Sequence, residues 1–208
     1  MENILMNVLD FSHACEIFDD KKKISDEDIH FILKAGKKST SSFGMKPWKF
    51  LVISNEELKA KISPLCSEQI PISSSSHLVI FLAAIESDTE SDSAHSKSVK
   101  KGFPADKLEF YTGVFPNHPE DSCHSNENMY SWPARQTYLS AGNMMTAAAI
   151  KGIDSCPIES YEKENIEEVL GLDTSKFQIA CLLPFGYRLN EQLSKENESF
   201  DDTIEFIK

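Results

Sequence analysis

Gly152-Ile153-Asp154-Ser155-Cys156-Pro157-Ile158-Glu159-Ser160 stands between the longest helical pattern of the chain, Trp132 to Ile150, and an apolar strand pattern from Gln178 to Pro184. In the helical pattern Tyr138, Leu139 and Asn143 precede the small residues Ala147, Ala148 and Ala149, and Gly152 supplies the stop. Small residues on one stripe let another backbone approach closely. The spacing therefore predicts a central helix packed against a second helix or a partner subunit.

Working outward, the apolar runs Trp48 to Ile53 and His77 to Ala84 read as buried strands, bounded by Pro47 and by Ser54-Asn55 in the first case. Between them Leu58, Ile62 and Leu65 recur at helical spacing. Upstream, Ser25 and the acidic turn Asp26-Glu27-Asp28 open a helix over about 26 to 37, with Ile29, Ile32 and Leu33 as its apolar stripe. Ile4, Leu5, Val8 and Leu9 mark a short amphipathic helix ending near Ser12, and another short helix falls at about 163 to 170. Helix and strand alternate, which points to an α+β sandwich with a sheet covered by helices on both faces.

From about 86 to 129 the composition turns to Ser, Asp, His and Pro. Too few apolar residues occur there for a separate core, so residues 1–208 read as one domain with a loop-rich excursion. In that excursion Phe110, Tyr111 and Phe115 are expected to form a lid over a substrate face. The 33 acidic residues outnumber the 21 basic ones, for a net charge of −12. A chain so acidic is a poor match for nucleic acid or an anionic membrane surface, both of which need a basic face. No apolar run approaches the roughly 18 residues of a membrane span, and Met1-Glu2-Asn3 lacks a basic leader, so a cytoplasmic protein is expected. Five widely spaced cysteines form no Cys-x-x-Cys pair and predict reduced thiols.

No Walker loop, Gly-x-Gly-x-x-Gly, His-Glu-x-x-His or Gly-x-Ser-x-Gly string occurs. His95, His118, Cys123 and His124 match no standard zinc spacing, and no metal site is expected. A more informative string is Ser39-Thr40-Ser41-Ser42-Phe43-Gly44-Met45-Lys46-Pro47-Trp48-Lys49-Phe50, which sets hydroxyl residues and a glycine between a helix and a strand. Such a turn exposes backbone N–H groups to an anionic or planar ligand.

Taken with the 152–160 segment, with Phe18-Asp19 ahead of the Ser25 helix, and with Phe177 to Gly186 followed by Tyr187-Arg188, this string resembles the oxygen-insensitive nitroreductase family of FMN-dependent oxidoreductases. The resemblance spans roughly residues 4 to 85 and 130 to 190. It implies a nitroreductase-like α/β sandwich with a central, mostly antiparallel sheet flanked by helices, assembled as a homodimer with FMN at the subunit interface. It also implies ping-pong hydride transfer from NADH or NADPH to nitroaromatics, quinones or related small acceptors. By the same resemblance the flavin ring rests on Pro157, Ile158 and Glu159, the Glu159 amide addresses N5, and Ser160 offers an N–H toward O4. Ser41 and Ser42 line the cofactor largely from the partner subunit, and Gln136 matches a flavin-contacting Gln.

Ser12, His13 and Ala14 match the family's phosphate-binding string, commonly Arg-x-Ser-x-Lys, with Ser12 in place of Arg and Glu16 in place of Lys. Near the C-terminus, where the family commonly has Lys-x-Arg, the best alignment gives Lys195 and Asn197. Removing one partner of a desolvated charge pair costs about 2–5 kcal/mol, so weakened FMN binding is expected unless Lys46, Lys21 to Lys23 or Arg188 substitutes. The alternative is a degenerate member that has lost FMN and acts as a binding or regulatory protein.

Overall fold

The computed structural model describes residues 2–44, 46–85, 126–192 and 203–207. In chain order the elements are α1 (Glu2–Phe11), α2 (Asp26–Lys38), β1 (Trp48–Ile53), α3 (Glu56–Ile62), α4 (Ile70–Ser74), β2 (His77–Ala84), α5 (Asn126–Ile150), β3 (Asp154–Ser155), α6 (Lys163–Val169) and β4 (Phe177–Gly186). Helix α2 starts where its sequence directs: Ser25 Oγ accepts the Asp28 N–H at 3.1 Å, and Lys37 and Lys38 occupy the last turn, opposite the acidic first turn.

The sheet runs β1-β2-β4-β3 with every neighbouring pair antiparallel. Alternation along β2 divides the core in two. Leu78, Ile80 and Leu82 pack on one face with Ile62 of α3, Ile72 of α4 and Ile166 of α6. Val79 and Phe81 pack on the other with Ile29 and Ile32 of α2 and Ala141, Met144 and Ala148 of α5. A strand buried on both faces must be apolar throughout, which explains the unbroken run in β2. The register shifts between Phe81, paired with Cys181, and Leu82, paired with Ile179, so Ala180 is the extra residue of a bulge. There the Ile179 N–H donates to the buried Glu167 carboxylate of α6 at 2.8 Å.

The α+β architecture matches the sequence expectation, with three local differences. Helix α5 begins at Asn126 rather than Trp132, which removes 126–129 from the expected excursion; Pro133 lies inside the helix and obscures its first turns in the sequence. Helix α4 and strand β3, five and two residues long, are too short to show a period. Residues 86–125, including Phe110, Tyr111 and Phe115, lie outside the described residues.

Between the two partners expected for the alanine stripe, the structure selects a helix of the same chain. Ala147, Ala148 and Ala149 are buried, and α5 meets α2 closely: Ser140 Oγ donates to the Gly36 carbonyl at 3.1 Å, and Asn143 Nδ2 donates to Ser39 Oγ at 2.8 Å. A Cβ at Gly36 would overlap Met144 Cε and lie 2.7 Å from Met144 Cγ and 2.9 Å from Ser140 Oγ. Gly36→Ala is therefore expected to destabilise by roughly 1–2 kcal/mol, overpacking outweighing the gain in helix propensity. Denaturant unfolding with an unchanged m-value checks this.

Candidate active site

The 156–160 loop is pinned to β4 at Cys156, whose N–H donates to the Pro184 carbonyl at 3.2 Å, and at Ile158. Ile158 donates to the Leu182 carbonyl at 2.8 Å and accepts from the Leu182 N–H at 3.2 Å, a mutual antiparallel pair. In such a pair the flanking backbone groups turn the other way, so the Glu159 N–H faces away from β4. Pro157, Glu159 and Ser160 are exposed while Ile158 is buried. The edge of the loop thus presents an outward Glu159 N–H between exposed Pro157 and Ser160.

Beside this edge lies a cavity of about 310 Å³. Pro157 and Glu159 form one wall, Cys181 and Leu183 of β4 the floor, and Tyr138, Ala141, Gly142 and Met145 of α5 the other wall. The α5 residues follow the i, i+3, i+4, i+7 spacing of a single helix face. Ala141 and Gly142 keep that wall low, and a Cβ at Gly142 would meet nothing. Burial raises the Tyr138 phenol well above its usual range, and a hydrogen bond with the Glu159 carboxylate adds to the rise. Burial likewise pushes the Cys181 thiol up to about 12, so the floor carries no thiolate.

Ser41, Ser42 and Gln136 form a second group. The Ser42 N–H donates to Gln136 Oε1 at 2.9 Å, and Ser41 Oγ accepts the Lys46 N–H at 2.7 Å. At 100° per residue, Gln136 projects from the side of α5 opposite the Tyr138–Met145 stripe. Within one chain, these residues and the Pro157–Glu159 loop therefore serve different faces of the same helix.

Ser12, His13 and Ala14 lie in a third group, beside β3. Ala14 bridges Ser155 in parallel, and the Cys15 N–H donates to the Ser155 carbonyl at 3.1 Å. Beneath them the buried Asp154 accepts from Arg188 Nε at 3.1 Å and from the Arg188 backbone N–H at 3.0 Å, while Arg188 Nη2 stands 2.6 Å from its other oxygen. His13 Nδ1 lies 3.6 Å from that same oxygen. His13, Cys15 and Asp154 thus converge, a cluster that the sequence did not announce because its members are 139 or more positions apart in part. Burial raises the Cys15 thiol to about 11, and Arg188 already neutralises Asp154. Glu16 is exposed and follows Cys15, whose N–H is tied to Ser155, so an acid stands beside the segment that leads into the 156–160 loop; burial raises the Cys156 thiol, and the Glu16 charge adds to the rise. Lys195 and Asn197 lie outside the described residues.

Comparison with known proteins places this four-stranded antiparallel sheet with helices on both faces in a known family. Residues 13–187 match the model of the nitroreductase family, and the chain belongs to that family. Among its relatives, a Staphylococcus haemolyticus protein provisionally named an NAD(P)H nitroreductase is 36% identical over 221 residues, covering 100% of this chain and 99% of the relative. YfkO of Bacillus subtilis, named in the same provisional way, is 34% identical, covering 98% and 97%. The fold also matches a solved Exiguobacterium sibiricum structure, described as a provisional nitroreductase in complex with FMN, with a TM-score of 0.81 at 23% identity over 98% of this chain and 97% of that one. A nitroreductase-like protein of Streptococcus mutans matches with a TM-score of 0.83 at 20% identity, covering both chains fully.

Proposed function

We propose that this chain is a flavin-dependent oxidoreductase that takes a hydride from NADH or NADPH and passes it to a small aromatic or quinone acceptor in two successive half-reactions. The observation that carries this is the cavity beside the Pro157–Glu159 edge: an apolar floor and a low helical wall suit a planar ring, and the outward Glu159 N–H suits its polar rim. When bound, a flavin ring supplies hydride storage at N5, so the chain needs to contribute positioning rather than an acid–base pair.

Each residue then has a defined task. Pro157 supports one side of the ring, Ile158 anchors the loop in the core beneath it, and the Glu159 and Ser160 amides offer donors to the ring edge. Cys181, Leu183 and Met145 exclude water from the floor. Tyr138 ties back the Glu159 carboxylate, which keeps that acid from turning toward the ring. Ser41, Ser42 and Gln136 serve the site of a second copy of the chain, since they project from the far side of α5. A homodimer is supported further by exposed apolar residues, Ile4, Leu5 and Leu9 of α1 and Leu139 and Ile150 of α5. No helix among the described residues is long and apolar enough to cross a membrane.

The test is colour and linkage. Purified protein should be yellow or become so with added flavin, and saturating flavin should raise its melting temperature. A colourless protein whose melting temperature ignores flavin would instead favour a binding protein without cofactor, the alternative supported by the exposed acid Glu16 next to Cys15, whose N–H is tied to Ser155. Light scattering at micromolar concentration should report a dimer; a monomer contradicts the shared site.

Gly142 gives a test of the cavity itself. Gly142→Trp adds a side chain where a Cβ meets nothing, so the helix should hold or gain up to about 0.5 kcal/mol. The indole fills the cavity, and flavin affinity should fall by about tenfold or more, or about 1.4 kcal/mol. Fluorescence titration beside thermal unfolding separates the two effects.

A further inference from the structure

The ring end of the candidate site fits a flavin, but the described residues at the phosphate end do not. Ser12 to Glu16 is held beside β3 by the Ala14–Ser155 bridge and by the Cys15 N–H, so these positions stand in a defined place next to the 156–160 loop. A flavin phosphate carries close to two negative charges and calls for guanidinium or ammonium groups with free donors. At this end the segment offers a neutral Ser12 and an exposed, acidic Glu16.

Of the cations offered as substitutes, Arg188, Lys46, Lys22 and Lys23 are engaged elsewhere, and Lys21 is exposed on the turn after Asp19, its backbone N–H bound to the Asp19 carboxylate at 3.1 Å. Arg188 faces Asp154 through Nε and Nη2, gives Nη1 to Gln192 Oε1 at 2.8 Å and Nη2 to the Phe11 carbonyl at 3.2 Å, and stacks on the Phe11 ring at 4.2 Å. Lys46 Nζ caps the Lys37 carbonyl at 3.1 Å. Lys22 pairs with Asp19 at 3.3 Å, and Lys23 pairs with Glu56 at 2.7 Å. Redirecting Arg188 would leave Asp154 buried without its counter-ion, which is strongly unfavourable. His13 is drawn toward the same carboxylate.

Resting on the flavin role proposed above, we infer that this site selects its cofactor by the ring and the polyol and is indifferent to the phosphate, so that riboflavin serves as well as FMN. Ser12 and Glu16 are the residues that set this choice. A phosphate brought to this end meets Glu16 and gains no new ion pair, so the two flavins differ only in a group that stays solvated. Ring contacts, common to both, then dominate affinity.

Flavin-stripped, full-length protein titrated separately with FMN and riboflavin, by flavin fluorescence and by thermal unfolding, decides the matter. The two dissociation constants should agree within about fivefold, and both flavins should raise the melting temperature alike at equal saturation. A larger FMN advantage overturns the inference while leaving the flavin role standing, and means that cations beyond those described grip the phosphate. Failure of both flavins to bind overturns the inference and the flavin role together. The variant Ser12→Arg with Glu16→Lys should tighten FMN about tenfold to a thousandfold and leave riboflavin within about threefold. Glu16→Lys alone, at an exposed position, should show part of the same gain if the double variant folds poorly. Unchanged FMN affinity in variants that melt like the parent would also overturn the inference.

Discussion

Replacing Asp154 by alanine is expected to lower stability by about 3–5 kcal/mol, the range for removing one partner of a buried ion pair. The Asp154 side chain is 2% exposed and that of Arg188 is 22%, so the guanidinium left behind would be largely desolvated. The Arg188 backbone N–H and Nε both donate to one carboxylate oxygen, and Nη2 stands 2.6 Å from the other. For a chain of this length the loss corresponds to a melting-temperature drop of roughly 6–20 °C. Asp154→Asn, which keeps the shape and an acceptor, should cost less. The double variant Asp154→Leu with Arg188→Met should recover much of the loss, because neither charge is then stranded. Calorimetry on these variants checks the ranking, and a drop under about 1 kcal/mol for Asp154→Ala would show the pair to be dispensable.

Phe81→Ala should be equally costly for a different reason. The ring is fully buried in the central strand and meets Phe50 edge-on, with centroids 5.1 Å apart at 69°. Truncation removes its transfer free energy and leaves a void between β2 and the α2–α5 layer, at about 3–5 kcal/mol. Its strand partner Cys181 lines the cavity floor, so relaxation into the void should also weaken flavin binding. Phe81→Leu, which retains most of the volume, should lose much less of both. Chemical denaturation and flavin titration on the same preparations would detect the joint effect; a loss of stability with unchanged binding would separate floor from core.

The main elements were legible because apolar spacing marks them strongly. Trp48–Ile53 and His77–Ala84 were readable to the residue, and α2 was readable from Ser25 and its acidic turn. Strand β3 was not, since Asp154 and Ser155 form a strand only by pairing with Gly186 and Phe185, which no local pattern encodes. The same limit hid the Asp154–Arg188 pair. Arg188 was readable as a spare cation, and only the fold reveals that a buried carboxylate claims it. The sequence also suggested that the alanine stripe of α5 could face a partner, whereas Gly36 lets α2 cover it. Of the site, the Pro157–Glu159 edge was legible as a motif. The role of Tyr138 and Gly142 was not, because it depends on which face of α5 turns toward that edge.

The contacts that clasp α2 to α5 join residues 104 positions apart, Gly36 with Ser140 and Ser39 with Asn143. The loop they close contains the whole of residues 86–125. Closure entropy grows only with the logarithm of loop length, so halving or doubling that loop shifts folding free energy by roughly 0.6 kcal/mol. Length changes between β2 and α5 are thus nearly silent in thermodynamic terms. What the separation does govern is kinetics. Contacts so distant in sequence are made slowly, so the clasp should form late in folding, after the β1–β2 pairing has already been laid down.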